Sequence, residues 1–132
     1  MSGVVLDASA AIELMVSSHG FRRAVGEAVG DQSVHAPMLI DTEVLSGIAR
    51  LERSGAIDTT TATVAIQEWG VFLVERHGGH ELMTEAWRTR LSVRITDGFY
   101  LALARQLGLP LVTCDGRLAR GPHPGVTITL VS

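Results

Sequence analysis

Thr96–Asp115 reads TDGFYLALARQLGLPLVTCD, and two periodicities follow one another within it. Phe99, Leu103 and Leu107 recur at helical spacing, Thr96 suits the N-cap, Asp97 falls in the first turn and Gly108 supplies the stop. Leu109–Cys114 (LPLVTC) is then a short apolar run that predicts a buried strand, and it ends on Asp115. A helix running straight into a wholly apolar strand is half of a βαβ unit, so a parallel sheet covered on both faces is expected.

The flanking sequence repeats the pattern. Gly3–Leu6 (GVVL) predicts a strand ending on Asp7, followed by a helix carrying Ala11, Leu14 and Met15. Phe21, Val25, Ala28 and Val29 predict a second helix, stopped at Gly30-Asp31, and Ser33–Ala36 a short strand. Pro37 suits the first position of a helix in which Met38, Val44, Leu45, Ile48 and Leu51 form the apolar stripe, which puts Glu43 inside it. A fourth helix runs from about Thr60 with Ala62, Ile66 and Trp69 inward, and Val71–Glu75 reads either as its end, with Leu73 inward, or as a strand. After a turn at His77–His80, Leu82, Met83, Ala86, Trp87 and Leu91 form another helical stripe, and Val126–Val131 (VTITLV) is a last strand. The expected class is α/β: a three-layer α/β/α sandwich on a mainly parallel sheet, one domain over residues 1–132.

Composition narrows the function. The 132 residues carry a net charge of −3, and every one of the eleven basic residues is arginine. Without lysine, a Walker A phosphate loop, a Schiff-base enzyme and a lysine-dependent receiver domain lose their key group. The acidic balance argues against nucleic-acid binding by general charge attraction, so such a partner must be held locally, by arginines and metal. A single cysteine, Cys114, forms no intramolecular disulfide, the N-terminus lacks a basic n-region and no apolar run reaches spanning length. The expectation is a cytoplasmic protein with no membrane partner. Cys114 itself reads as a small hydrophobe, and His77 with His80, lacking a third ligand at a recognised spacing, as a surface turn.

In open parallel sheets ligands bind beyond the carboxyl ends of the strands. Asp7 and Asp115 sit at such ends, Asp97 opens the helix leading to Asp115's strand, and Glu43 projects from a helix able to line the same crevice. Each acid alone has a bland reading: Asp97 answers the helix dipole, Asp7 and Asp115 are caps, Glu43 is a surface residue. Together they carry a joint cost, since two bare carboxylates about 4 Å apart repel by about 4 kcal/mol at an effective dielectric near 20. With no lysine present and no arginine fixed near all four by sequence, the natural neutraliser is a hard divalent cation, Mg²⁺ or Mn²⁺. Such an ion suits phosphodiester hydrolysis.

Val4–Met15 (VVLDASAAIELM), Ala36–Leu51 (APMLIDTEVLSGIARL), Thr96–Arg120 and the final strand, in this order, resemble a PIN-domain ribonuclease of the VapC type, a toxin of type II toxin-antitoxin systems. The resemblance covers essentially the whole chain. It implies that Asp7, Glu43, Asp97 and Asp115 are the catalytic and metal-holding acids of a Mg²⁺-dependent endoribonuclease, supported by Ser9 and Thr113. Ser9 also reads as a plain N-cap and Thr113 as a plain strand residue. The resemblance further implies RNA as substrate, a cognate antitoxin and a homodimer; a mean hydropathy of +0.27 is compatible with buried interfaces. The chain departs from the family pattern at Gly98, where alanine is common, and at Arg117, where some members carry a further acid. A catalytically silent PIN-like binding module and a metal-dependent DNA nuclease or phosphatase are the competing readings. Arg94, Arg117 and Arg120, with Arg88 and Arg90 near by in sequence, are placed to meet RNA phosphates, while Trp69 and Trp87 read as core.

Overall fold

The computed structural model describes residues 2–132. Five strands, β1 (Gly3–Leu6), β2 (Ser33–Pro37), β3 (Glu75–His77), β4 (Leu111–Thr113) and β5 (Ile128–Leu130), form one sheet in the order β3-β2-β1-β4-β5. Every pairing is parallel. The helices are α1 (Ala8–Val16), α2 (Arg22–Val29), α3 (Ile40–Arg53), α4 (Thr59–Val71), α5 (Met83–Arg88), α6 (Ile95–Leu107) and α7 (Gly116–Arg120). They cover the sheet in the expected three-layer α/β/α arrangement. The strand order reverses direction at β1, which places the switch-point crevice beyond the carboxyl ends of β1 and β4.

The central strands are buried for the reason their composition suggests: Val4, Val5, Leu6, Leu111 and Val112 have no polar face to offer solvent. Ala10, Ala11, Val44, Ile48, Leu101 and Leu103 close over them. Gly108 ends α6 with φ of 66°, a left-handed position that glycine takes without strain. Gly47 lets α3 approach α1 closely, since a Cβ there would run into the Ile12 side chain.

Several sequence expectations are corrected. Pro37 does not open a helix; it ends β2, paired with His77, and α3 starts at Ile40. β3 approaches Pro37 on one side, and the N–H of the next residue, Met38, bonds to the His77 carbonyl at 2.9 Å, so the strand pairing outlasts the proline. His77 is thus a strand residue, not part of a turn, and the strand after α4 is Glu75–His77 instead of Val71–Glu75. Thr96 is not the N-cap of α6: Arg94 holds that place with extended backbone, and no side chain caps the helix. Asp97 therefore lies at the third helical position, where its carboxylate still faces the positive end of the helix.

Met38 and Leu45 point outward, and Leu73 is 89% exposed. Trp69 is core as expected, but Trp87 is 60% exposed and lines an outer groove with Met83 and Ile95, and Leu91 beyond the helix is exposed too. In that amphipathic segment only Leu82 and Ala86 make the inward contact, so the buried stripe is narrower than the five apolar positions predict. Gly98 has a packing role. An added Cβ would stand 3.2 Å from the Ala86 Cα and O and from the Thr89 Oγ1, so glycine there permits the close packing of α5 on α6.

Candidate active site: four acids around the β1 and β4 ends

Asp7 leaves β1 with extended backbone and caps α1, its Oδ1 accepting from the Ala10 N–H at 3.0 Å. The capping reading is therefore correct for Asp7, and Ser9 is not the cap. Instead the Ser9 hydroxyl donates to Asp7 Oδ1 at 2.7 Å and accepts from the Cys114 N–H at 2.9 Å. From β4, the Thr113 hydroxyl donates to Asp7 Oδ2 and accepts from the Asp115 N–H at 2.9 Å. Both hydroxyls thus converge on Asp7 and tie the end of β1 to the end of β4.

Asp115 caps α7, its Oδ1 accepting from the Arg117 N–H at 2.9 Å and the Leu118 N–H at 3.3 Å. Its other oxygen, Oδ2, faces Arg94 Nη2 at 3.7 Å and Arg117 Nη2 at 3.8 Å. Arg94 also holds Asp97 through Nε at 3.1 Å and Nη2 at 3.4 Å. Glu43 comes in from the first turns of α3, where the Tyr100 hydroxyl of α6 donates to its Oε1 at 2.8 Å.

Electrostatics unite the group. Asp7 is 5% exposed, and burial pushes its carboxyl up to about 6, against the lowering effect of Thr113, Ser9 and the Ala10 N–H, with the Asp97 charge adding to the rise. Burial likewise raises Glu43, opposed by Tyr100 and pushed further by Asp97, while Arg94 and Arg50 pull it back. The Tyr100 phenol is held far above its usual range by burial and the Glu43 charge, so it stays a donor. Arg94 is raised by its bond to Asp97 first, with Asp115 and Glu43 contributing.

Asp7 and Glu43 both feel the Asp97 charge, Arg94 links Asp97 to Asp115, and Ser9 and Thr113 meet at Asp7; among the described residues no three of these acids offer oxygens that all lie within 4.8 Å of one another. Arg94 corrects the charge argument made from sequence. A guanidinium does stand among the acids, bridging Asp97 and Asp115, so part of the repulsion is relieved internally. Arg94 and Arg117 both line a cleft of about 220 Å³ with Asp97 and His123. Arg120 lies back on its own helix start, 3.2 Å from where a Gly116 Cβ would be, and Arg90 stacks on Trp87 at 4.2 Å. Burial pushes the Cys114 thiol up to about 11, which disfavours the reactive thiolate.

Sequence reasoning missed Tyr100, which looked like one more apolar position on α6, and the fully internal role of Glu13. Glu13 is buried and accepts from the Phe21 N–H at 2.9 Å, the His19 N–H and the Ser18 hydroxyl at 2.7 Å, binding the α1–α2 connection. An acid six residues after Asp7 on an otherwise apolar helix was the available signal.

Residues 4–123 match the PIN domain family. Ribonuclease VapC3 of Mycobacterium tuberculosis is 39% identical over 117 residues, covering 89% of this chain and 85% of that protein. Ribonuclease VapC12 of the same organism is 36% identical over 129 residues, covering 98% of this chain and 99% of that protein. Among solved structures, VapC20 of M. tuberculosis, a toxin cleaving the sarcin-ricin loop, superposes with a TM-score of 0.68 at 17% identity over 95% of this chain and 99% of its own. VapBC2 from Rickettsia felis, bound to a promoter DNA fragment, gives 0.64 at 12% identity, covering 98% of each chain. These likenesses and the crevice at the β1 and β4 ends agree: the chain belongs to the PIN-domain family, among its VapC-like ribonucleases.

Proposed function

We propose that Asp7, Glu43, Asp97 and Asp115 hold a divalent cation, Mg²⁺ or Mn²⁺, and that the chain hydrolyses RNA phosphodiester bonds as the toxin of a VapBC-type pair. The observation that carries this reading is Asp7: a buried carboxyl raised toward neutrality, oriented by two hydroxyls and close to a second acid. Such a group is costly to the fold and is relieved by a bound cation. The donors are all carboxylate oxygens, which fits a hard ion and excludes a thiolate or imidazole site at this place. PIN-domain ribonucleases generally use divalent metal; the choice of Mg²⁺ or Mn²⁺ rests on this donor set.

A cation bound there supplies Lewis-acid polarisation of a phosphoryl oxygen and a more acidic water. The protein's part is positional. Ser9 and Thr113 lock the Asp7 carboxylate, and Thr113 fixes the Asp115 backbone in the same bond network. Tyr100 holds Glu43 by Oε1, leaving Oε2 as the carboxylate oxygen able to take a proton from an attacking water, a task suited to an acid raised by burial. Arg94 and Arg117 flank the cleft and offer guanidinium donors to RNA phosphates, supplementing an acidic protein where general attraction is absent.

The R. felis and Salmonella typhimurium neighbours are VapBC assemblies, which supports a cognate antitoxin as partner; an acidic cleft favours a basic segment of it. Incubating the purified chain with structured RNA, with and without Mg²⁺ or Mn²⁺, tests the proposal, and mapping the cleaved ends names the substrate. Cleavage that requires metal and disappears in Asp97→Asn is expected. RNA binding without cleavage at any metal concentration would leave a silent binding module, and equal cleavage of DNA would make the protein a broader nuclease.

A further inference from the structure

Two strands away from Asp7, at the open edge of the sheet, a second group of metal-ligating side chains meets. His35 of β2 and Glu75 of β3 are register partners, and His77 lies two residues beyond Glu75 on the same face. His35 Nδ1 is 3.0 Å from His77 Nε2 and 3.4 Å from Glu75 Oε2. One ligand atom from each of the three lies within 4.8 Å of the others. From these distances we propose that His35, Glu75 and His77 form a binding site for a Zn²⁺-class transition metal, separate from the carboxylate site and serving to clamp β3 to β2.

Geometry, chemistry and preorganisation each support it. Tetrahedral Zn²⁺ with ligands at 2.0–2.1 Å places its donor atoms about 3.3 Å apart, and the two contacts of His35 bracket that spacing. Closing the remaining edge asks for a rotation only of Glu75, whose side chain is 67% exposed. Two imidazole nitrogens and one carboxylate oxygen suit a borderline cation and not Mg²⁺, whose preference is oxygen ligands throughout. The Ser33 Oγ stands 3.0 Å from His35 Nε2 and can accept its proton, which leaves Nδ1 with a free lone pair aimed at His77 and Glu75. The His35 side chain is only 14% exposed, so this arrangement is held by packing.

In the tautomer with the His35 proton on Nε2, Nδ1 would accept from His77 Nε2–H across their 3.0 Å contact; metal binding would replace that bond, with the His77 proton moving to its Nδ1. The charged groups packed around the site are few. Arg76, between Glu75 and His77, points to the other face and is occupied by Asp41 at 2.7 Å and 2.8 Å. No guanidinium therefore competes for Glu75 from its own strand.

The structural need is equally specific. β3 is three residues long and pairs on one side only, with β2. Short edge strands of this kind are weakly held, and a metal bridging His35 to Glu75 and His77 would cross-link the pair. β3 leads into Gly78-Gly79, and a Cβ on Gly79 would lie 3.6 Å from Phe99 of α6, two residues from Asp97. The clamp would thus steady the loop that borders the catalytic helix.

The test uses the full chain freed of any purification tag and stripped of metal. Zn²⁺ titration followed by calorimetry in excess Mg²⁺, which loads the carboxylate site, with Co²⁺ substitution read by visible absorption, should show one further ion per chain in a tetrahedral field. With that excess of Mg²⁺ present, thermal stability should rise further on adding Zn²⁺. Glu75→Gln and His77→Gln should remove the Co²⁺ signature, Ser33→Ala should weaken binding roughly tenfold or more, and Asp7→Asn should leave it unchanged. Should His35→Gln fail to fold, the exposed Glu75→Gln variant decides the matter. Absence of saturable Zn²⁺ binding, or binding undiminished in both Glu75→Gln and His77→Gln, overturns the proposal and leaves a plain His–His hydrogen bond. Loss of Zn²⁺ in Asp7→Asn overturns it too, because the ion would then sit among the acids.

Discussion

Replacing Asp7 by asparagine should abolish metal-dependent RNA cleavage and, at neutral pH, make the metal-free protein more stable. Burial raises the Asp7 carboxyl from 3.8 to about 6, and a rise of that size corresponds to about 3 kcal/mol spent in keeping the ionised form inside the fold. The sign follows from linkage: a group whose folded pKa lies above its unfolded value contributes stability below pH 3.8 that is lost as pH rises through about 6. Asparagine fits the same cage. Its oxygen can still accept from the Ala10 N–H and the Ser9 hydroxyl, and its amide can donate to Thr113, whose own proton can turn toward Ser9 Oγ, 3.3 Å away. The expected gain is therefore about 1 to 3 kcal/mol at pH 7.5, or up to about 10 °C in Tm for a chain of this length. The assay is thermal unfolding of both proteins, without divalent metal, from pH 7.5 down to pH 3.5. The gap should close across the interval between about 6 and 3.8, and adding Mg²⁺ at pH 7.5 should raise the Tm of the wild type alone. A variant less stable than wild type at pH 7.5, or a gap that does not change with pH, would refute the claim that Asp7 is an energetic burden retained for function.

Glu13→Gln should act in the opposite sense. Burial raises the Glu13 carboxyl, but bonds from the Phe21 N–H, Ser18 and His19 outweigh it and hold the group below its usual 4.5, so its contribution is present above pH 4.5 and lost as pH falls through the folded value. The variant should lose about 1 to 3 kcal/mol in denaturant titrations at pH 7, with the loss shrinking in acid. Gly98→Ala gains helix propensity but pushes a methyl group into the Ala86 backbone at 3.2 Å; a net destabilisation of about 1 kcal/mol is expected by chemical denaturation. Arg94→Gln should tighten divalent-ion binding several-fold by calorimetry while raising KM for RNA and flattening its salt dependence by about one counterion; unchanged metal affinity would deny Arg94 its place among the acids.

Much of the fold was legible because two features are written locally. Apolar strands ending on an acid at Leu6–Asp7 and Thr113–Cys114–Asp115, and helices stopped at Gly30 and Gly108, need no tertiary context to be read. The errors share one cause, which is that the deciding partner was distant in sequence. Pro37 looks like a helix start until β3 arrives beside it, Trp87 looks like core until Leu82 and Ala86 take the inward contact, and Gly98 looks like a weak helix residue until the Ala86 backbone is found against it. In the site, the acids were visible through their positions at strand ends and helix starts, whereas Tyr100 and the grip of Arg94 on Asp97 and Asp115 depend on how α6 packs. His35 was overlooked for the same reason: its partners are 40 and 42 residues away, and only strand pairing brings them together.

A ligand count sharpens what the four acids can offer. An ionised carboxylate has about four acceptor positions. Asp7 uses two on Oδ1 and one on Oδ2, which leaves Oδ2 one position for a cation. Asp115 uses Oδ1 for capping α7 and keeps Oδ2 free of hydrogen bonds. Glu43 gives Oε1 to Tyr100 and keeps Oε2. The bland and the functional readings of Asp7 and Asp115 are therefore compatible, because capping takes one oxygen and fixes the direction of the other. Asp97 differs, since Arg94 holds both of its oxygens. For Asp97 to serve as a ligand to a cation, Arg94 would have to release at least one of its oxygens. Arg94 is well exposed on the cleft wall, so the released guanidinium is placed to meet the phosphate of an incoming RNA. Arg94 would thus serve both the carboxylates and a substrate phosphate, and part of the charge balance that sequence alone assigned wholly to metal already falls to this arginine.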